Sequence, residues 1–118
     1  MREMLKVKVR GFSMFPTIRP GEYVYIEPLE GEPKVGEILY FKDTCGRWIL
    51  HRLVEKQVTK GDGPGGRVDI LVDCQIAGCA TFVERNGIKV PLEIKMPGWF
   101  SRLHAFIYGL CLSLRLKT

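Results

Sequence analysis

Apolar and polar residues alternate almost from the first position. Leu5, Val7 and Val9 are separated by Lys6, Lys8 and Arg10, a period of two that predicts a strand over LKVKVRG, closed by Gly11. Arg19-Pro20-Gly21 reads as a turn, because proline presets φ and glycine accepts backbone angles closed to other residues. EYVYIEP follows as a short strand, GEPKVGE as a turn-rich link, and EILYFKD as a strand of aromatic and branched residues. Asp43-Thr44-Cys45-Gly46 suits a hairpin loop. WILHRLVEKQVTK reads as one longer strand, with a break near Glu55 to Gln57. GDGPGG must be a loop, since its glycines would lose too much entropy inside an element. RVDILV and CATFVERNGIKVPLEI supply the remaining strands, with Arg85-Asn86-Gly87 at a tight hairpin turn.

The pattern changes at the carboxy terminus. In WFSRLHAFIYGLCLSLRLKT, Leu103, Phe106, Ile107, Leu110 and Leu114 recur at helical spacing, which predicts an amphipathic helix. Leu112, Leu114 and Leu116 alternate instead, so the last turn stays open. The chain thus divides into a mainly β unit, residues 1–98, and a terminal helix, residues 99–118. The apolar stripe, with Arg102, Arg115, Lys117 and Trp99, leaves two fates for that helix: packing on the domain, or lying on a membrane surface.

Composition narrows the function classes. A chain of 118 residues is one domain, large enough for its own core. A net charge of +5 permits an anionic partner without requiring one, and no nucleic-acid partner is expected. No run of about 20 apolar residues offers a membrane span. Met1 to Arg10 lacks the apolar core of a signal peptide, so a cytoplasmic protein is expected, with peripheral membrane contact only through the tail. Cys45, Cys74, Cys79 and Cys111 form no Cys-x-x-Cys pair, and neither His51 nor His104 has ligand spacing to them. Buried free thiols in a reducing compartment are the expectation, with no metal or organic cofactor. GDGPGG lacks the Gly-Lys-Ser/Thr of a phosphate cradle.

The candidate chemistry centres on Ser13, in GFSMFPTIRPGEYVYIEP. A serine hydroxyl needs a neighbouring base to act as a nucleophile. The histidines are His51, fixed among apolar residues of WILHRLV, and His104 on the tail helix. Lys60 is a further base in principle, but it would have to be desolvated to lose its proton, and VTKGDG reads as exposed. Asp62 and Asp69 flank the glycine loop, and either could orient an imidazole. Spacing alone leaves that choice open.

SMFPTIRPGEYVYIEP resembles the nucleophile box of signal peptidase I and LexA-like peptidases, in which Ser-Met-x-Pro-Thr precedes Gly-Asp/Glu-x-Val. WILHRLVEK is similar to the segment that carries their general base, and VTKGD to the box that follows in archaeal and endoplasmic-reticulum signal peptidases. VDCQIAGCATFVERNG resembles the closing strand pair of small bacterial members. Histidine rather than lysine at position 51 places the resemblance in the archaeal and reticulum branch. It implies a compact antiparallel coiled-sheet or barrel-like domain and a serine endopeptidase acting on a peptide or protein precursor. By the same resemblance Ser13 is the nucleophile, His51 the base, Asp62 the aspartate of the Lys-Gly-Asp box and Asp69 the later aspartate; Asp69 is favoured as the orienting carboxylate and Asp62 as a supporting, loop-shaping one. The Ser13 backbone N–H becomes the oxyanion donor, and Met14 and Pro16 line the substrate cleft. The family's box continues with asparagines where this chain has Gly63-Pro64-Gly65-Gly66, so the resemblance does not choose between the aspartates. Two rival readings use the same fold: a LexA-like domain that cleaves itself or regulates, and a non-catalytic peptide-binding module. The twelve residues before Ser13 give a cleavable hinge little room.

Overall fold

The structure, a computed structural model, describes residues 4–63 and 67–94. The expected terminal helix over residues 99–118, with His104 and Cys111, lies outside them. Among the described residues eight antiparallel strands form one sheet: β1 (Leu5–Lys8), β2 (Tyr23–Glu27), β3 (Ile38–Lys42), β4 (Trp48–Glu55), β5 (Val58–Lys60), β6 (Val68–Ile70), β7 (Gln75–Arg85) and β8 (Ile88–Pro91). No helix occurs among the described residues, so none there is long and apolar enough to cross a membrane.

The strand order is β1-β2-β7-β3-β4-β5-β6. The long β7 takes β2 along one edge and, along the other, β3 and then β8. Both of its ends can be served because β3 pairs with residues 75–80 and β8 with residues 82–85. The β7–β8 turn is made by Asn86 (φ 53°) and Gly87 (φ 78°), the positive angles for which Asn-Gly is selected.

The segment expected as one interrupted strand, Trp48 to Lys60, is instead a hairpin. Gln57 takes φ 62°, the chain reverses, and β5 pairs back on β4. Periodicity could not separate the two, because both arms bury their apolar residues and a reversal leaves that pattern unbroken.

Alternation along β3 and β4 fills two cores, one on each face of the sheet. One cluster contains Val9, Met14, Ile18, Val24, Ile26, Ile38, Ala80 and Val83; the other contains Leu39, Phe41, Ile49, Leu53 and Leu71. With both faces covered, β3 reads as a continuous apolar run. The cysteine expectation needs correcting: Cys45, Cys74 and Cys79 are free thiols, but Cys45 is exposed in the β3–β4 turn and the other two are only half-buried. Partial burial still pushes the Cys79 thiol up to about 11.

Candidate active site

Adjacent residues of β4 point to opposite faces, and this separates the two aspartates. His51 lies opposite Leu39 of β3, on the same face as Ile49 and Leu53. Arg52 lies opposite Ile38, on the other face. Across the β4–β5–β6 ladder, Leu53 pairs with Thr59 and Thr59 with Asp69, so Asp69 shares the His51 face. Its carboxylate reaches along that face and meets His51 Nδ1 at 2.9 Å. The other Asp69 oxygen accepts from Arg67 Nε, also at 2.9 Å.

Asp62 belongs to the opposite face. Arg52 donates to it from Nε at 2.9 Å and from its second terminal nitrogen at 2.7 Å, a fully buried two-pronged ion pair. Thr17 Oγ1 donates to the same carboxylate at 2.6 Å. Arg52 also donates to the carbonyls of Gly36 and Glu93. Asp62 therefore ties the turn after Ser13 to β4 and does not touch His51.

Ser13 sits exposed on a tight turn, in which Phe15 N–H donates to the Phe12 carbonyl and Ile18 N–H to the Met14 carbonyl. The loop after β5 clips onto that turn. Gly63 N–H donates to the Ser13 carbonyl at 2.8 Å, and Asp62 N–H approaches Met14 Sδ at 3.4 Å. Gly63 has no room for a side chain: a Cβ there would lie 2.7 Å from the Phe12 carbonyl oxygen and 3.3 Å from that of Ser13.

Ser13 and His51 line one groove of about 650 Å³, together with Met14, Tyr40, Trp48 and Arg67. Among the described residues no hydrogen bond joins the Ser13 hydroxyl to the imidazole, whose remaining nitrogen is Nε2. Such bonds are often long until substrate seats them. Met14 contributes to the groove wall although its side chain is buried in the core. Pro16 does not line the groove; it closes the exposed side of the turn, in a cis bond with Phe15.

No family model, curated protein or solved structure matches this chain.

Burial sets the electrostatics of the pair. His51 is 4% exposed, and desolvation of its imidazolium holds its pKa below the ordinary histidine value. The Asp69 charge and hydrogen bond pull the other way, and the Arg67 and Lys60 charges add to the lowering. At neutral pH the ring is a neutral acceptor. Lys60, expected to be exposed, is half-buried, with Nζ donating to the carbonyls of Gly61 and Gly63. Desolvation lowers its pKa as well, against the pull of Asp62.

The sequence reading missed three residues that hold this geometry. Arg52 stands unremarked inside WILHRLV, Thr17 inside the Ser13 box and Gly63 among the loop glycines. An Arg directly after a candidate base, inside an apolar strand, was the available signal: such an arginine must find a buried carboxylate.

Proposed function

We propose that this protein is a serine endopeptidase of the signal peptidase and LexA type, with Ser13 as nucleophile and His51 as general base. The observation that carries the reading is the Asp69–His51 hydrogen bond on the wall of the groove that also holds Ser13. Asp69 accepts from Nδ1–H, which selects the tautomer whose Nε2 can take a proton from serine and later deliver it to the leaving amine. The Ser13 N–H makes no hydrogen bond among the described residues and is the candidate oxyanion donor. One such donor is worth about 3 kcal/mol of barrier.

The groove also suits an extended substrate. β1 has no partner on its outer edge among the described residues, and residues Trp48 to His51 of β4 extend past the pairing with β5. A peptide laid between them would find free backbone groups and an apolar wall. On this reading the sheet is the coiled, barrel-like sheet of the family, the protein acts in the cytoplasm, and its partner is a precursor peptide or protein.

The test is labelling by a serine-directed acylating probe, followed by intact-protein mass. One adduct on Ser13, absent from Ser13→Ala and strongly reduced in His51→Gln, is the expected result. Equal labelling of wild type and Ser13→Ala would remove Ser13 as nucleophile. Recovery of the chain cut at a single internal bond, lost in Ser13→Ala, would move the reading to self-cleavage.

A further inference from the structure

The groove that holds Ser13 and His51 carries an unbalanced set of charges. Lys8, Arg10 and Arg67 line it, and among the described residues no carboxylate does. Arg67 is partnered by Asp69 at 2.9 Å. Lys8 and Arg10 are exposed and make no ion pair among the described residues. Their placement follows from the strand period. Val7 and Val9 turn toward the core cluster of Met14 and Ile18, so Lys8 and Arg10 take the opposite side of the same edge.

A chain pairing along that edge would meet two environments in alternation. Residues directed one way would pass Val7, Val9 and Met14; the intervening ones would pass Lys8 and Arg10. We propose that the groove selects an extended peptide segment in which small or apolar side chains alternate with carboxylates. The inference rests on the peptidase reading for the bond that is cut, but the selection itself is a property of binding. An oligonucleotide is the other extended polyanion that two unpartnered cations could take. The apolar wall of Val7, Val9, Ile49 and Leu50 favours a peptide, since it offers nothing to a phosphate backbone.

Three peptides with identical apolar positions and Glu, Ser or Lys between them test this directly. Fluorescence anisotropy with the full-length Ser13→Ala protein reads binding, and wild-type enzyme reads cleavage. The expected result is binding of the Glu peptide about tenfold tighter than the Lys peptide at low salt, as two partly exposed ion pairs supply. The gap should shrink at high salt. Lys8→Glu with Arg10→Glu should invert the order while the thermal midpoint stays put.

Equal binding of the three peptides, no binding of any, or an order unchanged by the reversal would overturn the proposal. So would an oligonucleotide that displaces the Glu peptide at matched charge with greater affinity. Selective binding of the Glu peptide without cleavage would retain the proposal and reject the peptidase reading. Cleavage indifferent to charge would do the reverse.

Discussion

At the scale of single residues, the chemistry depends on which charge state burial imposes on His51. Desolvation disfavours the imidazolium, so the base stays neutral to lower pH than a free histidine would. On the proposed peptidase reading, activity needs the neutral form and should therefore rise with pH through a midpoint below the usual imidazole value and level off by neutrality. This places the rise lower than an unperturbed histidine would. Asp69→Asn removes the one neighbour that raises the His51 pKa, so its midpoint should fall further while kcat drops roughly 10²- to 10⁴-fold from loss of the correct tautomer. Steady-state rates from pH 4 to about 11 check both. A midpoint that rises in Asp69→Asn, or a profile climbing only above pH 9, would disagree with a buried His51 base. Desolvation lowers the Lys60 pKa as well, so His51→Gln, which abolishes a histidine-based rise and spares a lysine-based one, decides between the two bases.

At the scale of elements, Ser13 is positioned by the loop after β5 rather than by a strand of its own. Gly63 lets that loop approach to hydrogen-bonding distance of the Ser13 carbonyl. Gly63→Ala would drive a methyl group to 2.7 Å from the Phe12 carbonyl oxygen, which backbone cannot absorb without moving. If Ser13 acts as proposed, a shift of about 1 Å in its turn should cost on the order of 100-fold in kcat/KM. Stability should fall as well, since Met14 and Ile18 of that turn belong to one core and Asp62, beside Gly63, is paired with Arg52. Turnover beside a denaturant midpoint separates the two effects; full activity in Gly63→Ala would show that the clip does not position Ser13.

At the scale of the whole molecule, the buried Arg52–Asp62 pair joins the nucleophile turn, the β5–β6 loop and β4, with further bonds to the chain at Gly36 and Glu93. Both side chains are almost fully buried, so removing one charge strands the other. Asp62→Asn should lower unfolding stability by about 3 kcal/mol or more, read as a fall in denaturant midpoint at unchanged slope. Replacing both residues together, Arg52→Met with Asp62→Leu, should recover much of that loss, because no buried charge is left unpaired. A double variant worse than the sum of the singles would show that the hydrogen bonds from Arg52 to carbonyls, rather than the ion pair, hold the turn.

Much of this was written in local pattern. Period-two alternation marked β1; aromatic and branched residues marked β3; Asn86-Gly87 marked the β7–β8 turn; Asp43 to Gly46 marked the β3–β4 turn. These features depend on neighbours within a few positions, where side-chain direction and backbone angle are set by the residues themselves. The pairing of aspartates with partners was not local. Asp62 and Asp69 both flank the glycine loop, and only the register of β4, β5 and β6 put Asp69 on the face of His51, while the loop after β5 carried Asp62 to Arg52. The reversal at Gln57 and the absence of room at Gly63 were hidden for the same reason: each is set by contacts between segments far apart along the chain, and composition carries no record of distance.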